Sequence, residues 1–273
     1  MTQPKRYAVI GDPIHHSLSP RIQAAAFRAS AIPADYFAIQ VTRRNLPQWL
    51  RREARELSGF NVTVPHKSAV INFMDELDVT AVATASVNTV VCEPEHLRGY
   101  NTDVEGFNAA LGLLPAMREG DSALVFGSGG AARAVMHALR QRGVSVTVVT
   151  RTPEQHLDSH TDAVGPNDQR LLAKISRAQL LVNATPLGMA HLAKRSPIPN
   201  GATAGEQTSA MDLVYGRQTP FLQWARSQGC PSIDGTEMLL AQAAAAFTIW
   251  TGIEPDLEVM RHALPTQKRQ PVA

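Results

Sequence analysis

Ser122-Ala123-Leu124-Val125-Phe126-Gly127-Ser128-Gly129-Gly130-Ala131-Ala132 is the stretch that decides the fold. A short strand-forming run enters a glycine-rich turn, and a helical pattern follows to about Gln141, with Gly143 ending it. In Gly127-x-Gly129-x-x-Ala132 the first glycine permits a tight turn and the second lets the backbone approach a pyrophosphate. The small third residue lets helix and strand pack closely. N–H groups at the helix start then face the negative charge. The strand–turn–helix context turns a weak pattern into a dinucleotide-binding signature.

Downstream of this turn, residues 144–149 form the next expected strand, with further strands at 179–183 and 210–214. An NAD site usually places Asp or Glu at the end of the second strand, on the ribose hydroxyls. Here Thr150-Arg151-Thr152 stands at that point, and an Arg flanked by hydroxyls suits a 2′-phosphate, although Glu154 is close by. NADP is the expected cofactor. Thr219-Pro220 starts a helix that Gly229 ends, and helices at 237–250 and 255–263 close the pattern.

Upstream the same alternation holds. Strands are expected at 7–10, 35–41 and 60–64, a hairpin at 87–92 and 97–102, and helices at 19–30, 46–57 and 104–114. In the 19–30 helix Ser19 is read as the N-cap and Pro20 as the first helical residue. The fold class is therefore α/β with two domains: an open α/β substrate domain and a Rossmann-type, doubly wound parallel sheet. Their expected limits are residues 1–104, completed by the C-terminal helices 236–273, and residues 105–235. The length of 273 residues agrees with about two domains.

Composition excludes several classes. With 26 basic and 24 acidic residues there is no electrostatic case for nucleic acid or an anionic membrane. The apolar stretch near 239–250 is interrupted by Gln242 and too short to span a bilayer, and Met1–Arg6 leads into a strand with no signal-peptide core. Cys92 and Cys230 lack metal-type spacing and read as reduced, buried thiols of a cytoplasmic protein. His15-His16 has no partner at ligand spacing, so no metal is expected.

Four polar clusters recur where the strands of the first domain end, the place where open α/β sheets bind ligands. They are Ser17-Leu18-Ser19, Asn61-Val62-Thr63-Val64-Pro65-His66-Lys67, Asn88-Thr89 and Asn101-Thr102-Asp103. Two hydroxyls at a helix start could hold a carboxylate. Only five of the 26 basic residues are Lys, and unlike Arg a Lys can give up its proton, which makes Lys67 informative. Lys67 is read as sitting at a helix start against the dipole. Hydroxyls, amides, one amine and one carboxylate together suit a polyhydroxylated acid.

These clusters, with Gly11-Asp12-Pro13-Ile14, Val87-Asn88-Thr89, Gly127-x-Gly129-Gly130-Ala131, Asn183-Ala184-Thr185-Pro186-Leu187-Gly188-Met189, Asp212-Leu213-Val214-Tyr215, Met238-Leu239-x-x-Gln242-Ala243 and Phe247-x-x-Trp250-Thr251-Gly252, resemble the shikimate dehydrogenase family over essentially the whole chain. The resemblance implies NADP-dependent, reversible reduction of 3-dehydroshikimate to shikimate, a step in making aromatic amino acids. It implies Lys67 and Asp103 as the catalytic pair and Ser17, Ser19 and Tyr215 around the substrate carboxylate. Thr63, Asn88, Asp103 and Gln242 would hold the hydroxyls. Gly127, Ser128, Gly129, Gly130, Ala131, Thr150, Arg151, Thr152, Asn183, Thr185 and Met189 would line the cofactor. The partners implied are a small-molecule substrate and at most a second copy of the chain as a homodimer. Val104, Thr150, Gln155 and Gly216-Arg217 depart from the family pattern, so a relative acting on quinate, or using NAD, stays open. A ligand-sensing protein without turnover is the rival from another class.

Overall fold

The computed structural model describes residues 4–155 and 162–265. The chain forms two compact units, residues 1–106 with 240–273, and residues 107–239.

In the second unit β7 (Ser122–Phe126) leads through the glycine turn into α5 (Gly130–Arg140), and β8 (Ser145–Val149) returns beside β7. The sheet is completed by β9 (Asp162–Val164), β10 (Leu180–Asn183), β11 (Ser209–Asp212) and β12 (Ser232–Ile233). All neighbours pair in parallel, in the order β12-β11-β10-β7-β8-β9. This is the doubly wound order, and the chain reverses direction across the sheet at β7, directly beside the glycine turn. β7 and β10 are buried along nearly their whole length, as strands covered by helices on both faces must be. Helices α6 (Leu171–Arg177) and α7 (Pro220–Ser227) add Leu171, Ile175, Phe221 and Leu222 to that core. Strands β9 and β12 and helix α6 were not legible in the sequence. Two of the three are three residues or shorter, too brief to show a period.

The first unit holds a mixed sheet: β1 (Lys5–Gly11), β2 (Ala34–Gln40), β3 (Gly59–Val62), β4 (Glu76–Leu77), β5 (Thr89–Glu93) and β6 (His96–Tyr100) in the order β2-β1-β3-β5-β6-β4. β1, β2 and β3 run parallel, whereas the β5–β6 hairpin runs antiparallel to β3 and within itself. Helices α1 (Ser19–Ala29), α2 (Leu46–Arg51), α3 (Val79–Thr84), α4 (Asp103–Leu111), α8 (Thr236–Thr251) and α9 (Leu257–His262) flank the strands, α4 and α8 running across the limits of the units. Trp49 meets Phe60 edge-on on one face. On the other, Tyr7 stacks on Phe27 and meets Trp250 of α8, whose indole N–H donates to Val90 O at 3.0 Å. Gln23, fully buried on α1, donates to Ala243 O at 2.8 Å. α8 is thus fastened to both β5 and α1.

Three local expectations are corrected. α1 begins at Ser19 itself, which leaves the cap position to Leu18, whose side chain has no acceptor, while the Ser17 hydroxyl accepts the Ser19 N–H. The helix expected over 46–57 stops at Arg51, where Arg52 leaves helical geometry and a 3-10 turn over Glu53–Glu56 follows. Cys92 is only partly buried, while Cys230 is buried; both thiols are free. Among the described residues no helix is long and apolar enough to cross a membrane, and no group of three His, Cys, Asp or Glu is placed to hold a metal.

Candidate active site

Pairing register brings the polar clusters of the first unit to one end of its sheet. β1 ends at Gly11 and β3 at Val62, while β5, antiparallel to β3, begins beside them with Asn61 opposite Thr89. Thr89 in turn lies opposite Tyr100, after which the chain delivers Asn101, Thr102 and Asp103. Lys67 lies in the turn after β3, its carbonyl held by the Val87 N–H at 2.8 Å. It precedes only a short 3-10 turn (Ala69–Phe73), so the expected conflict with an α-helix dipole is absent.

The Lys67 ammonium meets Asp103 Oδ2 at 2.5 Å, and the two side chains are 13% and 6% exposed. Asp103 is the first residue of α4, where the helix dipole favours a carboxylate. It does not act as an N-cap. Asn101 Oδ1 accepts the Asp103 N–H, and both Asp103 oxygens are engaged, Oδ2 by Lys67 and Oδ1 by Asn88 Nδ2 at 2.8 Å. Asn88 Oδ1 accepts from Thr89 Oγ1 and from the Thr102 N–H at 2.8 Å. Asn61 donates to Asn88 O and Thr89 Oγ1, and Tyr36 donates to Asn61 Oδ1 at 2.6 Å. Burial pushes the Tyr36 phenol well above its ordinary pKa, with Ser19 beside it working in the other direction. A continuous buried network therefore runs from Tyr36 to the Lys67–Asp103 pair. Such a network fixes geometry because every member left unpaired would cost about 1–3 kcal/mol.

Ser17 and Thr63 are partly exposed at this end of the sheet, and Ser19 is largely buried. Gln242 lies partly exposed on α8 in the same unit. Tyr215 belongs to the second unit, in the segment after β11. Sequence reading missed Tyr36, since an aromatic residue inside a strand carries no signal beyond core packing.

In the second unit Gly127 adopts a φ of +106°, and a methyl there would lie 2.9 Å from Ala184 O. Gly129 occupies the N-cap of α5, has open space where a side chain would stand, and leaves the helix start without a side-chain cap. Uncapped N–H groups at an open helix start fit a dinucleotide phosphate. Gly130 and Ala131 begin that helix, and Ser128 Oγ lies 3.1 Å from Thr150 Oγ1, tying the turn to the end of β8. Arg151 is exposed just beyond, followed by Thr152.

Thr185 and Met189 are partly exposed in the loop after β10, but Asn183 is fully buried. Its amide donates to Leu187 O and Asp212 Oδ1, and its oxygen accepts from the Thr185 N–H and hydroxyl. The Asn183 side chain therefore spends its hydrogen bonds within the protein. Asp212 is also fully buried, and desolvation pushes its carboxyl up to about 6 despite hydrogen bonds from Thr219, Val214 N and Asn183 that act the other way.

A glycine phosphate loop at the switch point of a doubly wound sheet, with a buried ammonium–carboxylate pair in the other unit, defines the class: an α/β dinucleotide-dependent oxidoreductase. Residues 9–90 match the shikimate dehydrogenase substrate binding domain, and residues 235–264 match the shikimate 5'-dehydrogenase C-terminal domain. Shikimate dehydrogenase (NADP(+)) of Moorella thermoacetica is 39% identical over 273 residues, 94% of this chain and 91% of the relative. The shikimate 5-dehydrogenase of Thermus thermophilus, solved in complex with NADP(H) and shikimate, is 39% identical, with a TM-score of 0.83, over 95% of this chain and 100% of that one. Quinate dehydrogenase from Corynebacterium glutamicum, solved with NAD, is 30% identical, with a TM-score of 0.83, over 96% and 99%. This chain belongs to the shikimate dehydrogenase family.

Proposed function

We propose that this protein catalyses the reversible, NADP-dependent reduction of 3-dehydroshikimate to shikimate. In this reading the unit of residues 1–106 and 240–273 holds the substrate and the unit of residues 107–239 holds the cofactor. The observation that carries the proposal is the Lys67–Asp103 pair, because reduction of a ketone leaves an oxygen that must gain one proton. Bound NADPH supplies the hydride. Lys67 stabilises the negative charge developing on the carbonyl oxygen and gives it the proton, and in oxidation takes the proton back. Asp103 keeps the amine aimed and accepts from a substrate hydroxyl. Ser17, Ser19 and Tyr215 receive the carboxylate; Thr63, Asn88 and Gln242 receive hydroxyls. The phosphate loop, Gly127 to Ala131, holds the pyrophosphate, and Arg151 with Thr150 and Thr152 holds the 2′-phosphate. Thr185 and Met189, partly exposed after β10, would also line the cofactor.

Arg151 at the end of β8, with no acidic residue beside Thr150, supports NADP over the NAD of the quinate dehydrogenase relative. Purified protein should consume NADPH when 3-dehydroshikimate is added. Shikimate and quinate, each with NADP and NAD, are then compared side by side. No turnover with any pair would favour a ligand-binding role, and faster oxidation of quinate with NAD would reverse the assignment.

A further inference from the structure

Asp212 has no role in the chemistry above, yet it is a carboxylate with no solvent exposure, and among the described residues its hydrogen bonds come from neutral groups, an amide, a backbone N–H and a hydroxyl. Its three donors come from three separate stretches. Asn183 Nδ2 lies 2.9 Å from Oδ1 at the end of β10, the Val214 N–H lies 3.0 Å from Oδ1 after β11, and the Thr219 hydroxyl lies 2.5 Å from Oδ2 ahead of α7. Burying an ionisable group costs far more than an apolar residue of the same size would, so its place needs a reason beyond packing.

The surroundings supply one. Asn183, gripped by Asp212, also binds Leu187 O and both polar groups of Thr185, and so sets the path of residues 184–188. That loop is wedged at both ends. A methyl on Gly127 would lie 2.9 Å from Ala184 O, so the start of the loop rests on the phosphate turn. Gly188, with φ +97°, rests on Thr219: a methyl there would lie 2.8 Å from Thr219 Cγ2. The same Thr219 donates to Asp212.

We infer that Asp212 is a positioning residue for cofactor binding: through Asn183 and Thr219 it holds the 184–188 loop against the phosphate turn, and through Val214 N it fixes the stretch leading to Tyr215. The inference rests on the cofactor assignment made above. It makes the loop shape, rather than a new contact, the thing that Asp212 contributes to NADPH affinity.

The test is NADPH affinity measured by titration calorimetry on Asp212→Ala, Asn183→Ala, the double variant and Asp212→Asn. A core variant that takes no part in these hydrogen bonds, Ile175→Ala on α6, serves as control. Asp212→Ala should weaken NADPH roughly tenfold, the size of one network interaction, and Asn183→Ala should do much the same. The double variant should be little worse than either alone. Asp212→Asn should recover most of the affinity, since its oxygen can accept from Asn183 and Val214 while its amide donates to Thr219. Ile175→Ala should lose stability without losing affinity. If Asp212→Ala does not fold, Thr219→Val and Asn183→Ala, singly and together, carry the same cycle. Affinity within twofold of wild type in Asp212→Ala, or additive losses in the cycle, overturns the inference. Wild-type protein that binds no nicotinamide dinucleotide overturns the cofactor assignment as well.

Discussion

Replacing Lys67 with Met keeps most of the side-chain volume and removes only the ammonium. The carboxylate it leaves is 6% exposed and was held at 2.5 Å. Stranding a buried charge costs about 3–5 kcal/mol. Asp103 keeps the Asn88 amide at 2.8 Å and the start of α4, so about 3 kcal/mol, the lower end, is expected here. Loss of the general acid should lower kcat by roughly 10²- to 10⁴-fold, equivalent to about 3–5 kcal/mol of barrier. The two effects are alike in size and must be measured apart. Urea unfolding reports the first; loss of NADPH absorbance in a single turnover with 3-dehydroshikimate, corrected for folded fraction, reports the second. Lys67→Met combined with Asp103→Asn removes both charges and should regain most of the stability while staying inactive. Lys67→Met with a rate within tenfold of wild type would remove the ammonium from the mechanism. A double variant that regains activity would do the same.

Arg151→Ala should weaken NADPH by roughly tenfold or more, the scale of one charge-assisted contact, and barely change NADH; equal losses for both would mean that the 2′-phosphate is read elsewhere. Asp212, raised from an ordinary aspartate's 3.8 to about 6, binds its proton more tightly folded than unfolded. The stability it contributes is complete below about pH 4 and is lost as pH rises through 6, roughly 3 kcal/mol in all. Asp234, the neighbouring acid that adds to the shift, is present in both proteins compared. Asp212→Asn should therefore gain on wild type by about that amount between pH 4 and 7 in urea unfolding, and a constant difference across that range would refute the assignment. A methyl at Gly11 would lie 2.6 Å from Thr63 Cγ2 and 3.0 Å from Val64 O. Gly11→Ala should push Thr63 aside and raise the KM for the substrate several-fold with NADPH affinity unchanged, about 1–3 kcal/mol of overpacking; an unchanged KM would take Thr63 out of the substrate site.

Much of the second unit was legible because its signals are local. A glycine able to take positive φ, a small residue for close packing and an Arg among hydroxyls all lie within a few residues of a strand end, where backbone geometry alone gives them meaning. The polar clusters of the first unit were visible for the same reason, three of them lying at or after a strand's end, whereas Asn88-Thr89 opens β5 and reaches the same end of the sheet only because β5 runs antiparallel to β3. The cap of α1 was misplaced at Ser19, because the helix takes in Ser19 itself and leaves Leu18 at the cap position.

Amino-acid order by itself determined the α/β alternation, the phosphate turn and the identity of the reactive groups, since each depends on neighbours along the chain. Tertiary structure alone decided which of those groups meet. Lys67 and Asp103 are 36 positions apart and Asn183 and Asp212 are 29 apart, and only strand register brings each pair within hydrogen-bond reach. Burial was decided at the same level: nothing local distinguishes the solvent-free carboxylate of Asp212 from an ordinary aspartate, because desolvation is imposed by everything that packs around it.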